Sequence, residues 1–291
     1  MSGAIRRRTL LWSLLPWAAS GAARAAPADA SAALAALQAR TGGRIGVYAL
    51  DTASRAELAF NASERFAMCS TFKLLLAAAV LHQVDAKAIA LEEAVPYGQA
   101  DMVPHAPVTS AHLAEGRLSV ETLCQAIVEV SDNPAANLLL RRIGGPAKLT
   151  RFVRGLGDTV TRLDRYELAL NSNLPGDERD TTTPKAMVRT VEKLLTADVL
   201  SAASRERLIS WLAASPTGLQ RLRAGLPPGW KVGDKTGTGT RGAVNDVAIA
   251  WPPGRPPILV ACYLSGSSWS TERLAEVHAE VGRLVAQAFT G

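Results

Sequence analysis

Ser70-Thr71-Phe72-Lys73 stands at the opening of the most apolar run in the chain, TFKLLLAAAVLHQV over 71–84. Residues three apart share a helix face, so this spacing puts the Lys73 amine within reach of the Ser70 hydroxyl. The positive end of the helix dipole disfavours the ammonium and favours an alkoxide, and a serine with a lysine base is a recognised nucleophile pair. A plainer use of a serine at that place is an N-cap. Ser131-Asp132-Asn133 comes just before Pro134, a residue suited to the first helical position, and a cap would again account for it. Lys235-Thr236-Gly237 lies in a strand-like stretch between Gly233 and Gly239. Glycines beside a cationic strand admit close approach of a ligand to the backbone, whereas a lone edge-strand lysine merely discourages aggregation.

Other chemistries are set aside by what is missing. The four histidines, His82, His105, His112 and His278, make no H-E-x-x-H and no metal-ligand cluster, and the chain has neither G-x-x-x-x-G-K-[ST] nor G-x-S-x-G. A zinc hydrolase, a P-loop enzyme and an α/β-hydrolase triad are poor readings, and neither a metal nor another cofactor is expected. His82 reads as a core residue. His105, between Pro104 and Pro107, either borders a cleft or faces water from its loop.

In this chain order, S-x-x-K, S-D-N and K-T-G resemble the serine active-site β-lactamases and penicillin-binding proteins. The likeness runs from about Ala28 to the last helix. The stretch Arg165-Tyr166-Glu167-Leu168-Ala169-Leu170-Asn171, ending in Asp177-Glu178-Arg179-Asp180, is similar to the Ω loop of class A β-lactamases. The resemblance implies hydrolysis of penicillin- and cephalosporin-type antibiotics through a serine acyl-enzyme, and hence antibiotic resistance. It implies Ser70 as the nucleophile, with the backbone N–H groups of Ser70 and Thr238 as the oxyanion hole. Lys73, or Glu167 through a water, takes the serine proton, and both stay open. Ser131 passes a proton to the departing nitrogen, and Glu167 with Asn171 activates the water that cleaves the ester. Lys235, Thr236, Gly237 and Thr238 bind the substrate carboxylate, Asn133 binds the acylamino side chain, and His105 helps shape the rim. Arg221 is the candidate to support the carboxylate, with Arg223 and Arg241 near enough in sequence to compete. Arg165 and Asp180 close the loop.

The chain departs from the family pattern in two ways. Leu168 follows Glu167 where many class A enzymes carry a proline after a cis bond. Cys69 precedes the nucleophile, as in relatives that bridge it to a cysteine beyond the K-T-G strand, but Gly239 stands at that partner position. Ala77 likewise stands where another family bridge would meet Cys124. The resemblance therefore implies that Cys69, Cys124 and Cys262 are free thiols. A D,D-peptidase shares the three motifs but lacks counterparts of Glu167 and Asn171. A penicillin sensor would carry a membrane anchor, and none is legible after residue 25. A structural or adhesive exported protein would leave the motif residues coincidental.

Periodicity supplies the elements that must hold these residues. Helical spacing covers 28–40, 71–84, 120–130, 134–143, 147–156, 184–195, 204–214 and 271–289, and strands are expected at 44–50, 56–60, 231–237, 243–251 and 258–264. The stretch 165–183 shows neither period and reads as a loop. The order, strand pair, helix block, strand block, helix, lacks βαβ alternation and so disfavours a doubly wound parallel sheet. The expected fold is α/β of the α+β type. An antiparallel sheet from 26–61 and 213–291 is flanked by the terminal helices, and an inserted all-helical lobe, 62–212, carries the loop 165–180. The cleft between them is the default place for the active site.

The net charge of +6 first suggests an anionic partner. Arg6, Arg7, Arg8 and Arg24 account for four of those charges in a segment without acids, and the remaining +2 makes no case for nucleic acid. Residues 1–25 read as a cleaved export signal: a basic stretch, an apolar run from Leu10 to Ala19 too short to span a membrane, and Ala23-Arg24-Ala25 before a cleavage point. Arg6-Arg7-Arg8-Thr9-Leu10-Leu11 also resembles a twin-arginine signal, so both export routes stay open. The expected product is a periplasmic or secreted monomer whose partners are small β-lactam molecules, with no membrane contact after signal removal.

Overall fold

In the computed structural model, which describes residues 27–290, both ends of the chain build one sheet. The leader reading, over 1–25, lies outside the described residues. Helix α1 (Pro27–Thr41) leads into β1 (Arg44–Asp51) and β2 (Glu57–Phe60). The C-terminal part supplies β7 (Lys231–Thr238), β8 (Val244–Trp251) and β9 (Ile258–Ser265), followed by α9 (Thr271–Thr290). The strand order is β2-β1-β9-β8-β7, antiparallel throughout, with Val47 opposite Cys262 and Lys235 opposite Val247.

The period of two sorts the side chains of β1 between two apolar layers. Ile45, Val47 and Ala49 join Leu34 and Leu37 of α1 and Val277, Val281 and Val285 of α9. Tyr48 and Leu50 join the helices inserted between the two parts of the sheet. Burial on both faces is why these strands read as nearly continuous apolar runs.

The inserted chain begins with β3 (Phe66–Ala67) and a 3₁₀ turn, Cys69–Thr71, that runs into α2 (Phe72–Asp85). Every α2 residue from Phe72 to Leu81 is buried, as expected of a helix that is apolar all round. Next come β4 (Ala94–Pro96), β5 (Arg117–Ser119), α3 (Val120–Glu129), α4 (Asn133–Ile143) and α5 (Pro146–Gly155). They are followed by β6 (Thr181–Thr182), α6 (Pro184–Thr196), α7 (Ala202–Ala214) and the short α8 (Leu222–Gly225). Helices α3, α4, α5 and α7 pack on α2, and α6 lies against β1 and β9.

The helices and long strands expected from periodicity are present, with ends shifted by no more than two residues. Three expectations need correction. The inserted lobe is not all-helical, because β3 pairs with β6 and β4 with β5. Pro134 is the second residue of α4, not the first, because the helix starts at Asn133 and Asp132 is its cap, accepting from the Ala135 N–H at 2.9 Å. The stretch 165–183 is not featureless: it contains a 3₁₀ turn, Ala169–Asn171, and ends in β6, which pairs with β3. Two-residue strands and single turns are too short to show a period.

Candidate active site

Ser70 lies in the 3₁₀ turn ahead of α2 and its side chain caps nothing, since Thr71 occupies the cap position. The turn is pinned from the sheet. Asn245 of β8 donates from Nδ2 to Ala67 O at 2.9 Å and Met68 O at 3.1 Å. Gly237 of β7 comes so close that a Cβ there would stand 2.8 Å from Met68 O and 3.1 Å from Ser70 N. The glycine of K-T-G thus admits the backbone of the serine turn as well as leaving the cleft open.

Lys73, the second residue of α2, is fully buried. Its Nζ donates to Ser131 O at 2.7 Å, Asn133 Oδ1 at 2.6 Å and Ser131 Oγ at 3.3 Å, and lies 3.1 Å from Glu167 Oε1. Among the described residues no hydrogen bond joins Lys73 Nζ to Ser70 Oγ; the two share Glu167 Oε1 as a partner. The amine has turned towards better acceptors on α4 and the loop. Burial pushes its pKa below the ordinary lysine value, against the opposing pull of Glu167. Desolvation, not the helix dipole, is the main cause.

Lys235 reaches the same place from β7. Its Nζ donates to Ser131 Oγ at 3.1 Å and to Thr236 O at 2.9 Å. Burial holds its pKa well below the ordinary value, and the nearby Lys73 and Arg221 charges add to the depression. A hydroxyl has two acceptor positions and one proton to give. With ammonium groups on both acceptor sides, the Ser131 proton is left to point elsewhere. An anion entering the cleft would relieve the crowding of positive charge.

Glu167 faces this group from the loop. Ser70 Oγ donates to its Oε1 at 3.5 Å, and Asn171 Nδ2 donates to its Oε2 at 2.6 Å. Its backbone is held by Asn137 of α4, which accepts from Glu167 N at 3.0 Å and donates to Glu167 O at 3.1 Å. The Glu167–Leu168 peptide bond is cis. At the neck of the loop, Arg165 Nε donates to Asp180 Oδ2 at 2.5 Å, while Asp180 Oδ1 accepts the Asp164 and Arg165 N–H groups at 2.7 and 2.9 Å.

The cleft itself is a cavity of about 330 Å³. Ser70, Ser131, Asn133, Asn171, Thr236 and Thr238 line it, with His105 and Leu168 on its rim. Asn133 joins the parts: its Oδ1 accepts from Lys73, its Nδ2 donates to Pro104 O at 2.8 Å, and its N–H donates to His105 O at 2.9 Å. His105 Nε2 lies 2.9 Å from Val130 O. Of the three arginines, Arg221 alone lines the cleft, donating to Gly237 O at 2.9 Å, Asn245 O at 2.5 Å and Thr238 Oγ1 at 2.8 Å. Arg223 pairs with buried Asp234, and Arg241 donates to Ser172 O. A larger cavity, about 630 Å³, lies under the loop, but of the residues given a catalytic, substrate-binding or loop-closing role it is lined only by Arg165; the chemistry belongs to the smaller one.

Sequence reasoning passed over four supporting residues. Asn137 could have been found, because it stands four positions after Asn133 and so shares its helix face. Asp132 was noted only as part of its motif, yet it also accepts the Val108 and Thr109 N–H groups, both at 2.9 Å, and ties the His105 loop to α4. Asn245 and Thr217, which accepts from Thr236 Oγ1 at 2.8 Å, carry no local signal. Cys69, Cys124 and Cys262 are free and buried. A Cβ at Gly239 would fall 2.6 Å from Cys69 Sγ, so that glycine does lie against the thiol.

Comparison with known proteins agrees with this geometry. The beta-lactamase enzyme family matches residues 29–289, and the chain belongs to it. It is 44% identical to the carbapenem-hydrolyzing beta-lactamase KPC of Klebsiella oxytoca, over 96% of this chain and 95% of that one. It is 45% identical to beta-lactamase L2 of Stenotrophomonas maltophilia, over 97% and 95% of the two chains. Among solved structures, the class A β-lactamase of the last common ancestor of Gram-negative bacteria superposes with a TM-score of 0.89 at 55% identity, covering 90% of this chain and all of that one. The protein is a class A serine β-lactamase, a hydrolase of β-lactam antibiotics of the kind that confers resistance.

Proposed function

We propose that β-lactam hydrolysis here runs through an ester on Ser70, with Glu167 serving both halves of the cycle. The Ser70 oxygen attacks the ring carbonyl, and its proton passes to Glu167, towards which the hydroxyl already donates at 3.5 Å. Lys73, committed as a donor to three acceptors and paired with Glu167, stabilises the charge that develops rather than removing the first proton. The carbonyl oxygen is received by the N–H groups of Ser70 and Thr238. Ser131 delivers its proton to the departing lactam nitrogen and is reprotonated through Lys73 by the proton that Glu167 took from Ser70, which leaves Glu167 a carboxylate again. Lys235, Arg221, Thr236 and Thr238 hold the substrate carboxylate, with Gly237 keeping the strand edge clear. Asn133 binds the acylamino group, and His105 contacts the substituent beyond it. In the second half, Glu167 and Asn171 hold and deprotonate a water, which attacks the ester carbonyl and returns the proton to Ser70. Arg165 and Asp180 keep the loop that carries them closed.

The observation that carries this reading is the placement of one carboxylate against Ser70, Lys73 and Asn171 together. Intact-mass analysis with a penicillin tests it. The parent returns to its free mass as product accumulates, and Glu167→Ala holds a covalent adduct on Ser70. A Glu167→Ala enzyme that turns over like the parent would sink the reading. Among the described residues no helix is long and apolar enough to cross a membrane. The signal at 1–25 would deliver the mature chain to the periplasm or the medium, where it acts as a monomer on small β-lactams. N-terminal sequencing of the exported protein, expected to begin at Ala26, checks the cleavage.

A further inference from the structure

The loop residues just after Asn171 have little beneath them. Leu170 is buried, but Leu174 is exposed, and the segment 172–179 roofs the cavity of about 630 Å³. A segment with so few apolar contacts does not hold its own position. What meets it is the turn between β7 and β8. Asn171 O accepts from Thr240 N at 3.0 Å and from Thr240 Oγ1 at 3.3 Å. Ser172 O accepts from Thr240 Oγ1 at 2.6 Å and from Arg241 Nη1 at 2.7 Å. Asn173, at φ 43°, turns its side chain back across the gap. Its Nδ2 donates to Arg241 O at 3.0 Å and Thr240 O at 3.2 Å, and its amide exchanges hydrogen bonds with Ser265 Oγ at 3.0 and 3.1 Å.

We propose that Asn173, Thr240, Arg241 and Ser265 form a clasp that sets the register of Asn171 and, through its hydrogen bond, the aim of Glu167. They are positioning residues for the deacylation step. This rests on the reading of Glu167 and Asn171 given above. The Arg165–Asp180 pair fixes the two ends of the loop, whereas the clasp fixes the point where the loop meets the water-activating group. Because Asn171 holds the deacylating water and takes no part in acylation, loosening the clasp slows release of the acyl group more than its formation.

The experiment compares Asn173→Gly with the Thr240→Val and Thr240→Ser pair. Glycine keeps the left-handed backbone without strain and removes only the amide. Thr240→Val removes the hydroxyl, and Thr240→Ser restores it. With benzylpenicillin, kcat of Asn173→Gly and Thr240→Val falls about tenfold. Their kcat/KM stays within about twofold, KM drops with kcat, and the acylated mass dominates in the steady state. Thr240→Ser behaves as the parent. Parent-like kcat and adduct level in both Asn173→Gly and Thr240→Val overturn the proposal. So does a fall of kcat and kcat/KM together with no adduct, which marks a loss of folded enzyme. Glu167→Ala, run alongside, separates the failures: if it does not trap the adduct, the deacylation role itself falls, whatever the clasp variants do.

Discussion

On one side of Ser70, Lys73 and Lys235 reach Ser131 from regular elements, α2 and β7, and both side chains are fully buried. On the other side, Glu167 and Asn171 ride on an irregular loop whose backbone is held by polar side chains, Asn137 from α4 and Asp180 from the loop's own neck. The acylating side takes its precision from packed helix and strand, which hold side chains more tightly than loops do. The deacylating side takes its precision from a few directed hydrogen bonds over a cavity. Damage to the first should therefore appear as lost acylation. Damage to the second should slow deacylation more than acylation, so that acyl-enzyme accumulates.

The largest effect is expected at Lys73. Lys73→Met keeps most of the length of the side chain but strips the charge from Ser131 and Glu167. The kcat/KM should fall by about 10²- to 10⁴-fold, the range general acid–base groups contribute, with no adduct accumulating. An adduct as persistent as that of Glu167→Ala would erase the division between the two sides. Next comes Asp180→Ala, which removes a fully buried carboxylate from Arg165 and from two backbone N–H groups. Breaking a buried pair from one side costs about 3 kcal/mol, readable as a lower urea midpoint. Acyl-enzyme should build up in the folded fraction. A variant with the parent's midpoint would show that the neck does not hold the loop.

The same division decides what the sequence disclosed. The elements that carry the three motifs were legible from their periods, the motifs themselves only from their joint family likeness, and the antiparallel sheet from both chain ends followed from element order. The helix-face argument did not reveal the partners of Lys73, because it weighed only its neighbour in the serine turn. Ser131 and Asn133 offer stronger acceptors from 58 and 60 positions away. Glu167 and Asn171 were found only through family likeness, since nothing in an aperiodic loop says which carboxylate turns inward. Asn245, Thr217 and the clasp residues stayed hidden for a related reason. Their partners are backbone carbonyls or hydroxyls of distant segments, and such pairings leave no trace in spacing.

Two glycines allow one small change at the serine turn alone and another where that turn meets the loop. At Gly237 an added methyl meets Met68 O at 2.8 Å and presses on the serine turn; at Gly239 it meets Cys69 Sγ at 2.6 Å and Asn171 O at 2.7 Å, pressing on the turn and the loop together. Gly237→Ala should lower stability by about 1–3 kcal/mol, the usual cost of overpacking, and reduce kcat/KM. Gly239→Ala should cost a similar amount, because buried Cys69 stands against it, and should in addition lower kcat through Asn171. A kcat that falls no further in Gly239→Ala than in Gly237→Ala would show that the contact with Asn171 does not govern deacylation.

The smallest effect is a pH limb. A lysine whose pKa is depressed gives up its proton at a lower pH than a solvated one. As pH rises towards the ordinary lysine value, Lys235 therefore becomes neutral before exposed lysines do and stops attracting a carboxylate. The kcat/KM, which reports groups of the free enzyme, should decline on the alkaline side by about threefold to tenfold, while kcat, governed by Glu167 and its water, declines less. Lys73 titrates with the same sign, so the parent profile alone does not separate them. Lys235→Arg does, because a guanidinium keeps its charge throughout that range and leaves Lys73 in place. If the arginine variant binds substrate, its alkaline limb in kcat/KM should flatten. An unchanged limb would assign the titration to Lys73, and with it the pH sensitivity to Ser131 and the acylation step rather than to the substrate carboxylate.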